Sequence, residues 1–308
     1  VHARPSPARI LGVIALATAG ISVSGPLARL AGAPPLAIAV WRLLLSLLIL
    51  AVPLLATGSW REWRGLSTRD LAIAGGAGAL LALHFWSWIA SLGLTTIAAS
   101  VLLVNLHPIV IVAGSALWLD ERPTRPQLMG IAIALLGAAL VALAPGSETA
   151  PADGGQAVGS AAMLGNTLAV IGALTVGLYY LAGRSLRQRL SLWPYVALVY
   201  GACLVSLLIA AAFTATPLWP YAPRELGIFA LIALGPMLAG HTGFNWALRY
   251  VPAYVVSVAL LAEPVGAALI AALLPGIREL PTPSTLLGGT ILLVGLAVSA
   301  RTRGASKD

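Results

Sequence analysis

Charge is scarce in this sequence. Of 308 residues only 9% are Asp, Glu, Lys or Arg, against roughly 25% in ordinary soluble domains, and 59% are hydrophobic. A water-soluble globule of that make-up is excluded. Cysteine is almost lacking too: Cys203 stands alone inside an apolar run, which rules out a disulfide framework or a thiolate metal site. Of the four histidines, His2 is terminal, and His84, His107 and His241 lie far apart with no HExxH spacing and no clustered carboxylates. No metal is expected from that pattern. No glycine-rich loop follows a strand to cradle phosphate, so no nucleotide cofactor is expected either. Lys307 is the sole lysine, and the net charge of +8 comes from arginines scattered between apolar runs. Without a continuous basic patch, a nucleic-acid partner is not expected.

What is abundant is apolar sequence in runs long enough to cross a hydrocarbon core, about 20 residues at 1.5 Å rise. Ten candidate helices follow, at approximately 8–28, 34–56, 70–91, 95–119, 125–144, 159–182, 192–213, 225–247, 252–275 and 283–300. Arginine sorts the loops between them. Both termini and alternate loops hold Arg4, Arg9, Arg61, Arg64, Arg69, Arg122, Arg125, Arg184, Arg187, Arg189, Arg249, Arg301, Arg303 and Lys307. The other loops hold Arg29, Arg224 and Arg278. Cytoplasmic loops are the basic ones, so both termini are expected in the cytoplasm. Trp60, Trp63, Trp118, Trp193 and Trp246 then fall near the inner interface, and Trp219 and Tyr221 near the outer one, as interfacial anchors.

Sliding the chain on itself by about 157 residues aligns Val13, Ile14, Thr18 and Gly20 with Val170, Ile171, Thr175 and Gly177. His84 meets His241 at the same offset. After small indels, His107-Pro108 meets Glu263-Pro264, and Glu121, Pro123, Gly130 and Gly137 meet Glu279, Pro281, Gly288 and Gly295. Arg4 and Arg9 before an apolar run imitate a cleavable signal. The first helix, however, has a counterpart in the sixth, so it is expected to belong to the fold. An odd number of spans per half puts the halves in opposite orientation, a plan that secondary transporters use for alternating access. The expected fold is all-α and integral to the membrane: ten transmembrane helices in a five-plus-five inverted-topology repeat with a central cavity. The first repeat covers residues 1–146, an extracytoplasmic linker 147–157, and the second repeat 158–308.

The ordered motifs carry a resemblance over nearly the whole chain. They are Arg42 early in the second helix, the run ending Asn105-Leu106-His107-Pro108, Glu121-Arg122-Pro123 leading into Gly130 and Gly137, and Leu261-Ala262-Glu263-Pro264 followed by Glu279 and Gly288. In this order and duplicated, they resemble the EamA branch of the drug/metabolite transporter superfamily, ten-helix bacterial metabolite exporters. The resemblance implies export of amino acids or related small metabolites across the bacterial cytoplasmic (inner) membrane, often by proton exchange. It does not fix the substrate.

Polar residues at membrane depth cost at least ~2.5–3.5 kcal/mol each and ask for a partner or a purpose. Arg42 is either a ligand for a substrate carboxylate or a structural or snorkelling cation. Glu263 and His107 form the candidate proton-coupling pair, against the alternative of hydrogen-bonded core groups. Pro108 and Pro264 are the candidate hinges, because a proline cannot donate to the carbonyl four residues back. His84 with Trp88, and His241 with Asn245, share a helix face at four-residue spacing, and are candidate substrate-binding pairs or packing contacts. Asn105 and Asn166 read as hydrogen-bonded bridges between helices. No nucleophile–base pairing accompanies these groups, so no catalytic residue is assigned and an enzyme is not expected. An intramembrane enzyme or a channel-like facilitator are the alternatives to a carrier. The expected partners are a small-molecule substrate and membrane lipid, and the oligomeric state is left open.

Overall fold

A computed structural model describes residues 5–118, 124–143, 155–247, 249–251 and 259–299. Among the described residues, eight helical segments are long and apolar enough to cross a membrane: Pro7–Leu30, Pro35–Ala56, Thr68–Leu92, Ile97–Gly114, Arg125–Ala142, Gly159–Gly183, Leu192–Phe213 and Pro223–Ala247, called spans one to eight. Two shorter apolar helices follow, Ala262–Leu273 and Pro283–Ser299. The first part of the expected ninth helix, residues 252–258, and the Glu121 motif lie outside the described residues.

Local chemistry explains where the spans begin and break. Ser6 caps span one by accepting from the Arg9 amide at 3.3 Å, with Pro7 in the first helical position, where its missing N–H costs nothing. Span one is interrupted at Val23, three residues before Pro26, which cannot donate to the Ser22 carbonyl. Ser67 and Asp70 form a reciprocal capping box at the start of span three. Span four breaks between Ile97–Val104 and His107–Trp118, and the helix Ala262–Leu273, which holds Glu263, is set off from helical residues 259–260 by a turn at Leu261. Span eight contains a π-helical stretch, Ala233–Thr242, with Pro236 inside it. The Thr242 hydroxyl donates there to the Met237 carbonyl five residues back, at 3.1 Å.

The two halves repeat each other in detail. The Thr18 hydroxyl donates to the Ile14 carbonyl at 3.0 Å, and 157 residues on Thr175 donates to Ile171 at 2.9 Å. At the end of span two, Thr57 bonds back to Pro53 and sideways to Ser59, with Gly58 left-handed at φ 64°. At the end of span seven, again 157 residues on, Thr214 bonds to Ala210 and Thr216, and Ala215 is left-handed at φ 50°. Glycine takes that conformation freely and alanine does not, so a shared backbone geometry is imposed on different side chains.

Span five and the helix Pro283–Ser299 cross antiparallel through their glycines. A methyl group at Gly130 would meet Gly295 and Ser299, and one at Gly137 would meet Gly288 and Leu292. Gly288 and Gly295 in turn close on Gly137 and Gly130. Each glycine thus faces the other's non-equivalent glycine, the reciprocity of a twofold relation between helices running in opposite directions. Near one end of the bundle, the Glu279 carboxylate pairs with Arg29 at 3.3 Å and accepts the Ile97 amide at 2.6 Å. Arg29 also donates to the Thr95 carbonyl at 2.5 Å. Burial pushes the Glu279 carboxyl above its ordinary range, and Arg29 opposes that shift.

Candidate functional site

The breaks in the spans meet around one partly open cavity. It has a volume of about 40 Å³ and is lined by residues of spans one, three, four, six and eight and by Leu260 and Glu263. At ~10–15 Å³ per water position, that is space for a few waters, so a larger solute needs the walls to part.

Five of the candidate binding and proton-coupling residues line it: His84, Trp88, His107, His241 and Glu263. His84 Nδ1 lies 2.9 Å from the Gly172 carbonyl. A carbonyl only accepts, so Nδ1 carries the proton, and Nε2 is the acceptor of the neutral ring. The His84 ring is stacked parallel to Trp88, with centroids 6.3 Å apart. The Trp88 Nε1–H is buried and has no hydrogen-bond partner. His107 Nδ1 donates to the Val104 carbonyl at 3.3 Å, and its ring leans on Tyr180, with centroids 5.9 Å apart. Pro108 leaves that carbonyl without a main-chain donor, and the imidazole beside it supplies one. Glu263 accepts from Asn105 Nδ2 at 3.3 Å, while Asn105 Oδ1 is buried without a partner. Asn105 therefore bridges two helices, as its sequence context implies, and it also borders the cavity.

The other candidates lie elsewhere. Pro108 and Pro264 sit behind the lining, in the first turns of the helices His107–Trp118 and Ala262–Leu273. Asn245 is one turn past His241, donates to the His241 carbonyl at 2.9 Å, and does not line the cavity. Arg42 is buried in span two outside the lining, with its guanidinium carbon 4.1 Å from the centre of the Phe85 ring. Asn166 takes the Thr95 hydroxyl at 2.8 Å and donates to the Ala142 carbonyl at 3.0 Å, joining spans five and six. Sequence reasoning missed Tyr180, Ser24 and Phe85. Nothing in their local pattern separates them from core residues. Among the described residues, no three His, Cys, Asp or Glu side chains converge as a metal site would require.

Chemically, the cavity is walled by the Glu263 carboxyl, the imidazoles of His84, His107 and His241, the Tyr180 phenol and the Ser24 hydroxyl. Trp88 Nε1 and Asn105 Oδ1, on two of the lining residues, are buried without partners, and each costs free energy until a polar partner meets it.

The sequence profile of the EamA-like transporter family matches residues 8–143 and again 163–301. An uncharacterized transporter of Archaeoglobus fulgidus is 27% identical over 279 residues, covering 87% of this chain and 90% of its own. One solved crystal structure superimposes on 95% of this chain and 96% of its own length, with a TM-score of 0.62 at 18% identity. That likeness bears on the fold alone.

Proposed function

The chain belongs to the EamA-like transporter family, and from that premise we propose that it is a secondary transporter that exports amino acids or related small polar metabolites by alternating access. The observation that carries the reading is the cavity at the helix breaks, walled by one carboxyl, three imidazoles and an indole contributed by different spans. A catalytic site would need a nucleophile beside a base; a carrier needs a polar pocket that opens to one side at a time. His84, Trp88 and His241 contact the solute. Glu263 and His107 exchange protons with the cavity, and Pro108 and Pro264 mark the hinges that let its walls part. Asn245 belongs to the same substrate-binding set, and reaches the solute when the cavity opens toward the cytoplasmic ends of the spans.

The unit of motion is the pair of repeats, residues 1–146 and 158–308, joined by the linker 147–157. The two stretches matched by the family profile support that division. The protein crosses the bacterial cytoplasmic membrane ten times with both termini inside, a reading that rests on the arginine alternation. Reporters fused after residues 65, 124, 150 and 188 are expected to read inside, inside, outside and inside; a cytoplasmic reading at 150 overturns the inverted repeat.

Metabolite profiling of medium and cells, with and without overexpression, tests the activity. One or a few small polar solutes are expected to accumulate outside. Unchanged profiles for every solute would sink the export reading, and a chemically altered solute would point to an enzyme.

A further inference from the structure

Arg42 is the largest fully buried side chain among the described residues, with 1% of its surface exposed. Its Nε and Nη1 have no hydrogen-bond partner. Nη2 reaches only the Met237 sulfur, at 3.7 Å, and the Cys203 thiol and Tyr200 hydroxyl are its polar neighbours. None of the ion pairs among the described residues includes it. What faces the guanidinium is the Phe85 ring, 4.1 Å from carbon to ring centre. The same ring sets its edge against His241, with centroids 5.5 Å apart at 89°, and leans on His84 at 5.1 Å. Those two imidazoles line the cavity. Phe85 therefore stands between a bare buried cation and the space where a solute would sit.

Burying a cation without a counter-charge is expensive, and one aromatic face recovers only part of that cost. A planar carboxylate would recover more, because its two oxygens match two parallel N–H groups of the guanidinium fork. We propose that Arg42 is a buried carboxylate-binding subsite masked by Phe85, opened when a carboxylate-bearing solute in the cavity displaces the ring. The ring is the counterpart of the ligand: it occupies the cation while the site is empty and gives way when an anion arrives. The cargo would then be selected for a free carboxylate, with neutral amides discriminated against. This rests on the transporter reading for the identity of the solute, but the subsite itself does not depend on transport.

The test uses the purified full chain in detergent, with thermal unfolding followed against acetate, acetamide and chloride at equal ionic strength. Acetate is expected to raise the unfolding temperature, and acetamide and chloride to leave it unchanged. Arg42→Gln should abolish the acetate response. Phe85→Leu, which removes the ring face but keeps an apolar plug, should lower the acetate concentration giving half the effect by on the order of tenfold, the loss of one competing cation–π contact. An equal response to chloride overturns the carboxylate assignment, and an acetate response unchanged in Phe85→Leu overturns the masking. If Arg42→Gln fails to fold, the acetate–acetamide comparison on the wild type and Phe85→Leu still decides. Binding is read without a membrane, so the two readings fail separately: acetate bound through Arg42 with no solute moved overturns transport, and solute moved with no acetate response overturns the subsite.

Discussion

Glu263→Gln is expected to abolish net transport driven by a pH gradient while leaving exchange of substrate for substrate close to wild type. The substitution changes one property. Glutamine keeps the shape of the carboxylic acid and an oxygen to accept from Asn105 Nδ2, which now bonds Glu263 at 3.3 Å, but it binds and releases no proton. Net flux in a coupled cycle must return the empty carrier with its protonation changed, whereas exchange returns it loaded and skips that step. The other titratable groups lining the same cavity are His84, His107, His241 and Tyr180. Pro264→Ala should behave differently. It restores an N–H that can donate to the Leu260 carbonyl, mends the helix where it now begins at Ala262, and slows both modes together. The measurement is flux into reconstituted vesicles with an imposed pH gradient, alongside counterflow, for each variant. Gradient-driven flux unchanged in Glu263→Gln removes Glu263 as proton carrier and favours a facilitator.

The spans were legible in the sequence because hydrophobic length is a direct response to a 30 Å hydrocarbon layer. The breaks at Pro108 and Pro264 were legible because proline removes a donor whatever surrounds it. The interruption at Val23 was open to the same argument through Pro26. The π-helical stretch Ala233–Thr242 was not: it depends on how span one seats against span eight, where Gly20 meets the Gly235 carbonyl.

His84, Trp88, His107, His241 and Glu263 line the cavity. Asn245, which shares a helix face with His241, lies outside the lining. Moving from His84 to Trp88 and from His241 to Asn245 leads in opposite directions through the membrane when spans three and eight run antiparallel. A single conformation need not extend equally both ways, and this one reaches Trp88. Phe85 escaped notice for a simpler reason. A phenylalanine on an apolar helix looks like core until the cation it covers is located.

Gly137→Val is expected to destabilise the protein by ~3 kcal/mol or more, at the upper end of the cost of overpacking a close contact. Membrane helices gain little from hydrophobic burial against one another and are held by close backbone approach at small residues. At Gly137 that approach is extreme: a methyl group there would lie 2.6 Å from the Gly288 carbonyl oxygen and closer still to the Leu292 amide. These are backbone atoms of a helix and cannot swing aside as a flexible side chain would, so the helices must separate along the crossing. Gly75→Ala is the control. That glycine is exposed, nothing lies within 4 Å of an added methyl group, and relief of glycine's entropy cost should stabilise by about 0.5–1 kcal/mol.

The reciprocity of the contact makes a sharper prediction. Gly288 closes on the Gly137 carbonyl, as Gly137 closes on Gly288, so Gly137→Ala and Gly288→Ala force the same separation. Once the first has moved the helices apart, the second adds little, and the double variant should be less destabilised than the sum of the singles. Thermal unfolding of the purified variants in detergent measures the ranking: Gly75→Ala above wild type, Gly137→Ala and Gly288→Ala below it, Gly137→Val lowest. Gly137→Ala as stable as Gly75→Ala, or strict additivity of the pair, would mean that this crossing is not the shared seam between the halves.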